Sequence, residues 1–254
     1  MPTRLENPRP KFVSFSGIDG AGKSTQIESL CAQLKEAGLR VELVTFWNDI
    51  ARLTRIREAA GHTLFQGDQG VGSPARPINR RDKNVQSGIM TSVRLFLYFA
   101  DTLSLRFVAV NVSKLHTDFV IFDRYIYDEL ANLSLRHPGP RFYVRLIMKL
   151  APKPDISYLL DADPVQARAR KPEYPVEFLH ANRASYLALN DAIGAMTIIA
   201  PMPVHDVQRQ IWKHLVKLLS PAEMKSEPAE TLVPTGDPGI PARSEQRNAF
   251  PAAL

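Results

Sequence analysis

Phe12-Val13-Ser14-Phe15-Ser16-Gly17-Ile18-Asp19-Gly20-Ala21-Gly22-Lys23-Ser24-Thr25 is the stretch that decides the fold. Its first five residues read as a short buried strand, ended by Gly17. After it, Ile27, Leu30, Cys31 and Leu34 recur on one face, which predicts a helix over 24–36 with Gly38 at its C-cap. Between strand and helix, Gly17, Gly22, Lys23 and Ser24 match the pattern G-x-x-x-x-G-K-[S/T]. Glycines let successive backbone N–H groups turn inward around an anion. The first turn of the helix adds its positive end. Gly17, Ile18, Asp19, Gly20, Ala21, Gly22, Lys23, Ser24 and Thr25 are therefore read as the cradle for the phosphates of ATP. Lys23 would reach the β- and γ-phosphates, and the Ser24 hydroxyl would ligate Mg²⁺.

Outward from this loop, strands are expected over 41–46, 118–123, 156–161 and 196–200. Helices are expected over 49–60, with Asp49 as N-cap, and over 87–115 and 127–135. Pro138-Gly139-Pro140 reads as a break, followed by helices over 141–150, 164–169, 176–190 and 204–219. Strands alternating with helices predict an α/β fold of P-loop NTPase type: a parallel sheet of about five strands with helices on both faces. Residues 61–83 are rich in Gly, Pro, Arg and Asp and read as a long surface loop. Beyond Ser220 prolines recur and periodicity stops, so 221–254 reads as a disordered Pro-rich tail. The organisation is thus an N-terminal arm over 1–10, a domain over 11–220 and the tail.

Of 254 residues, 44% are hydrophobic and 23% charged, the balance of a soluble globule. The net charge of +6 fits a polyphosphate ligand. The basic residues are dispersed without an aromatic-basic repeat, which argues against nucleic acid as the partner. The single cysteine, Cys31, allows no intrachain disulfide, and its place in the helix after the loop suits a buried small hydrophobe. The N-terminus lacks the apolar core of a signal peptide. The apolar stretch around 95–110 is interrupted by Asp101 and Arg106, so no membrane span is expected, and the compartment is read as cytoplasmic.

The strand over 118–123 ends in Asp123, a carboxylate placed to meet Mg²⁺ or its water shell, and Arg124 beside it can hold a phosphate with two donors. Here the residues become specific. The run from Phe15 through Gln26 closely resembles the phosphate loop of thymidylate kinases, and Asp123-Arg124-Tyr125 resembles that family's Asp-Arg-Tyr motif. Leu160-Asp161-Ala162-Asp163-Pro164, Arg168, Arg170, Glu177-Phe178 and Arg183-Ala184-Ser185-Tyr186 resemble its lid, about 168–175, and the following helix. Order and spacing fit from about 11 to 219, apart from 46–83.

The resemblance implies ATP-dependent phosphorylation of a nucleoside monophosphate, dTMP foremost, by a cytoplasmic enzyme that binds nucleotide substrates and pairs as a homodimer through the long helix. It implies that Asp19 faces the acceptor nucleotide, Arg124 binds the acceptor phosphate, and Arg168 and Arg170, with Lys171, close over the transferring group. Relatives without an arginine in the loop carry it in the lid; this chain has Gly20 there and lid arginines. Three places depart. Phe46-Trp47-Asn48-Asp49 stands where the family has Arg-Glu-Pro, leaving Arg52, Arg55 or Arg57 as substitutes. Tyr98 aligns with the aromatic of the acceptor pocket, but Thr102 takes the place of the thymine-reading arginine, with Arg106 one turn on. The 61–83 loop is longer than expected. Two other readings stay open: a kinase for a nucleoside or another small phosphorylated metabolite, and a non-catalytic ATP-binding protein.

Overall fold

The computed structural model describes residues 9–51, 88–115 and 117–219. Residues 1–8 of the arm, residues 52–60 of the expected helix with Arg52, Arg55 and Arg57, the 61–83 loop and the 221–254 tail lie outside them. The described elements run β1 (Lys11–Ser16), α1 (Lys23–Glu36), β2 (Val41–Thr45), a π-helical turn (Phe46–Ile50), α2 (Gly88–Ser113), β3 (Phe119–Asp123) and α3 (Ile126–Leu130). They continue with α4 (Pro138–Leu150), β4 (Ile156–Leu160), α5 (Pro164–Arg170), α6 (Val176–Ile193), β5 (Thr197–Ile199) and α7 (Val204–Val216). The five strands form one parallel sheet in the order β2-β3-β1-β4-β5. This is the sheet that the alternation of elements predicts.

Strand side chains alternate between the two faces, and each face has its own core. Val13, Phe15, Phe119, Ile121, Tyr158 and Leu160 point to one side, where Ile27, Leu30 and Leu34 of α1 and Ile211 and Leu215 of α7 cover them. Phe12, Val120, Phe122 and Leu159 point to the other, under residues of α2, α3, α4 and α6. A parallel sheet buried on both faces needs near-continuous apolar strands, and β3 (Phe119-Val120-Ile121-Phe122) supplies one.

Three local expectations change. First, β2 stops at Thr45, and Asp49 belongs to a π-helical turn, where its carboxylate accepts the Thr45 N–H at 2.7 Å and so caps the preceding backbone. Second, Pro138-Gly139-Pro140 opens α4, since proline at the first helical positions loses no hydrogen bond there. Third, the helix after β3 ends at Leu130, and turns closed by Asn132 and Leu133 carry the chain onward.

The span Thr91–Ser113 within α2 is long and apolar enough, by length and composition, to cross a membrane. Asp101 and Arg106 interrupt it. In the fold one side of it is core: Leu97, Tyr98, Leu105, Ala109 and Val112 are buried. The opposite side exposes Phe96, Phe99, Leu103, Phe107 and Val110.

The loop after β1 is wedged between neighbouring backbones. A Cβ on Gly17 would lie 2.5 Å from the Leu160 carbonyl oxygen, and one on Gly20 would lie 2.2 Å from that of Ala167. Both residues also have positive φ, +140° and +80°. Gly20 therefore lets α5 rest its backbone directly on the loop.

Phe122→Ala, fully buried between β3 and the helices, should cost about 3–5 kcal/mol in a denaturant melt. Phe142→Ala on α4, 70% exposed, should cost within about 0.5 kcal/mol; equal losses would contradict the assigned core. Gly20→Ala should cost about 1–3 kcal/mol, whereas an unchanged melt would mean that α5 does not lie on the loop.

Candidate active site

The carboxyl ends of β1, β3 and β4 meet where α1 begins. Lys23, in the first turn of α1, is 7% exposed, and its ammonium donates to the Gly17 and Ile18 carbonyls at 2.8 and 2.9 Å. It thus folds back on the loop it belongs to. Burial, and then the nearby Arg124 charge, lower its pKa to about 8, against the opposing pull of Asp19, Asp128 and Asp123. Ser24 and Thr25 stand exposed at the helix start.

Arg124 follows β3 with φ of +71°, the left-handed region that non-glycine residues seldom enter. Its N–H donates to the Phe15 carbonyl at 3.0 Å. The turn sends the side chain back across the sheet edge to the loop. There one terminal nitrogen donates to Asp19 at 2.5 Å and the other to Asp128 at 3.2 Å. Burial opposes the guanidinium's charge, but Asp128 and Asp19 outweigh it and raise its pKa. For Asp19, burial pushes upward; Arg124, Lys23 and Lys171 win and hold the carboxylate below its usual range.

Asp128 was not anticipated. It lies one helical turn after Arg124, 6% exposed, and its carboxylate accepts from four donors. These are the Ser16 hydroxyl at 2.6 Å, Arg124, the Tyr125 N–H at 3.1 Å and the Tyr186 hydroxyl at 2.7 Å. Burial, followed by the Asp128 charge, raises the Tyr186 pKa well above its ordinary value, so this phenol is a donor. The available signal was the acidic pair Asp128-Glu129 between Ile126-Tyr127 and Leu130, with Asp128 four residues after an arginine.

The structure thus brings Asp19, Lys23 and Arg124 together, with Asp123 close enough for its charge to act on Lys23. Lys171 acts on Asp19 in the same way and pairs with Glu173 at 3.3 Å. Arg168 is half-buried near the end of α5; Arg170 is exposed and donates back to the Gln166 carbonyl at 3.3 Å. Neither forms an ion pair among the described residues. Asp161, where the lid leaves β4, is gripped by Arg183 through two contacts of 2.6 Å, which ties the start of the lid to α6.

The acceptor side read from α2 looks different. Tyr98 is buried in the core. Thr102 is fully buried, and its hydroxyl donates to the Tyr98 carbonyl at 2.7 Å, the usual recourse of a threonine inside a helix. Arg106 donates to the Leu150 carbonyl at 3.1 Å and so caps α4. Trp47 stands edge-on against Phe46 and is partly exposed.

Ser24 and Asp123 offer a hydroxyl and a carboxylate at the mouth of the loop, the hard oxygen donors that suit Mg²⁺. Glycine-cradled amides, a lysine and an arginine around one cleft suit a polyphosphate on one side and a second anion on the other.

Comparison with known proteins agrees with this geometry. No protein-family model matches the chain. The probable thymidylate kinase of Methanothermobacter thermautotrophicus is 30% identical over 213 residues, covering 79% of this chain and 91% of that one. The thymidylate kinase of Solidesulfovibrio magneticus is 28% identical over 229 residues, covering 82% of this chain and 100% of its own length. The crystal structure of thymidylate kinase from Ehrlichia chaffeensis shares the fold, with a TM-score of 0.53 and 19% identity over 82% of this chain and 99% of that one. That of Candida albicans does so with a TM-score of 0.55 and 16% identity, over 83% of this chain and 92% of that one. With its phosphate loop, its Asp-Arg-Tyr turn and a relative matched along nearly its full length, the chain belongs to the thymidylate kinase family.

Proposed function

We propose that the protein transfers the γ-phosphoryl group of ATP to a nucleoside monophosphate, with dTMP the first acceptor. The observation that carries this is Arg124, held against Asp19 of the phosphate loop with Lys23 beside both. ATP lies along residues 17–25, and Lys23 exchanges the Gly17 and Ile18 carbonyls for its β- and γ-phosphates. Arg124 keeps free donors for the acceptor phosphate, because a guanidinium has five N–H bonds. Asp19 faces the acceptor. Ser24 and Asp123 would hold Mg²⁺, which would supply positive charge to the donor phosphates. Arg168, Arg170 and Lys171 swing from the lid to the transferring group, adding positive charge and excluding water. Gly20 lets this lid approach by backbone, in keeping with a loop that carries no arginine of its own.

The unit that does this spans 11–220, with the lid about 168–175, in a soluble cytoplasmic enzyme. The exposed stripe Phe96, Phe99, Leu103, Phe107 and Val110 on α2 fits a second copy of the same helix, so the enzyme is a homodimer. Neither nucleic acid nor membrane enters the reaction.

One observation favours a broader acceptor. Thr102 is sealed in its own helix and Arg106 is committed to α4. Residues 98–106 therefore lend no guanidinium to the base. The acceptor phosphate and sugar would then govern recognition more than thymine does.

ADP release should be measured with ATP, Mg²⁺ and a panel of nucleoside monophosphates and nucleosides. Monophosphates should support turnover, dTMP among the best, and Lys23→Ala should reduce it at least about a hundredfold. Turnover on nucleosides alone would move the acceptor to a hydroxyl without a phosphate, and none on any acceptor would leave only a binding protein. A pH effect comes from Lys23, whose pKa of about 8 in the free protein must rise beside phosphate. ATP binding should then take up a proton above pH 8, and affinity should fall as pH rises through that value. Calorimetry in two buffers of different ionisation enthalpy reads the uptake; finding it undiminished in Lys23→Ala would rule this origin out.

A further inference from the structure

Asp128 binds Arg124 twice over, once through the side chain and once through the turn that carries it. Its Oδ2 accepts the Tyr125 N–H, the first amide after Arg124, and so closes the turn in which Arg124 takes its left-handed backbone. Its Oδ1 accepts from the Arg124 guanidinium itself. The other two donors, Ser16 at the end of β1 and Tyr186 in α6, anchor the carboxylate from both flanks. With four donors on two oxygens and 6% exposure, Asp128 has little capacity left for a substrate hydroxyl. That leaves it a structural role, which caps the start of α3 through the Tyr125 N–H and holds the Arg124 head at the same time.

A non-glycine residue in the left-handed region is retained only where its surroundings over-determine it. At Arg124 these surroundings are the Phe15 carbonyl on its N–H, Asp19 and Asp128 on its head, and Asp128 again on the next amide. The two carboxylates differ in kind. Asp19 belongs to the loop and is 18% exposed on its side chain, so it can exchange partners when nucleotide arrives. The Asp128 side chain is 2% exposed and tied to three elements, so it stays.

We infer that Asp128 is a positioning residue for the acceptor phosphate: it holds the Arg124 guanidinium, through turn and head together, in the orientation that meets that phosphate, while Asp19 is the partner that yields. This rests on the acceptor role proposed above for Arg124. It assigns recognition of the second anion to a pair of residues, Arg124 and Asp128. The donor ATP, seated on Lys23 and the loop amides, makes no demand on it.

The test is the split between the two substrates. Asp128→Asn should raise the acceptor KM about tenfold or more, the loss of a charged hydrogen bond, while the KM for ATP changes less than about twofold. In an Arg124→Lys background the same substitution should add less than about threefold, because the effects act through one group. Should Asp128→Asn not fold, Asp128→Ser, whose hydroxyl can still accept from Tyr125, is read in the same way. ATP and acceptor constants that move together, or losses that multiply in the double variant, would overturn the inference. A readout without turnover separates it from the kinase reading. In the ¹⁵N spectrum the Arg124 guanidinium should show slow, resolved N–H resonances that Asp128→Asn averages, whether or not any acceptor is phosphorylated. An averaged Arg124 signal already present in the unaltered protein would sink the pairing itself.

Discussion

Arg124 stands between two carboxylates, Asp19 at 2.5 Å and Asp128 at 3.2 Å, and the arrangement of the site depends on it. One carboxylate comes from the loop after β1 and the other from α3, so the guanidinium ties the phosphate cradle to the opposite wall of the cleft. The strain of its backbone is tolerated because these contacts exceed what a surface ion pair supplies: both pairs are largely buried, where charge acts through a lower dielectric. A buried pair of this kind costs desolvation and is weak evidence for stability by itself. Its presence at the sheet edge, with Lys23 close by, is better explained by a negatively charged ligand.

The donor side was legible in sequence because it is local. A strand, a glycine pattern and a helix within one run of residues specify where the backbone amides point, and Gly17, Gly20 and Lys23 stand where that pattern puts them. The sheet was legible for a related reason: β3 and β4 are apolar throughout, as strands covered on both faces must be. Asp128 was not legible, since its partners Ser16 and Tyr186 lie 112 and 58 residues away and only the fold brings them together. The Asp49 turn and the start of α4 were misread because a side chain there satisfies the backbone behind it, and because prolines open a helix as readily as they break one.

Thr102 and Arg106 show how a likeness to a family can hold for the fold and thin out at a pocket. The positions align along α2, but tertiary contacts decide their use: a carbonyl of the same helix takes the threonine, and the end of α4 takes the arginine. The loop and the Asp-Arg-Tyr turn keep the residues that resemble the family, while on α2 Thr102 and Arg106 bond to carbonyls of the fold itself.

One cleft should hold two phosphate groups, the donor's at Lys23 and the acceptor's at Arg124. A crystal structure with a dinucleoside polyphosphate that joins adenosine to thymidine tests it most directly. Lys23 should leave the Gly17 and Ile18 carbonyls for the phosphate chain, and Arg124 should bond the thymidine-side phosphate while keeping Asp128. A thymidine-side phosphate bound away from Arg124, with the Asp19–Arg124 contact intact, would contradict it.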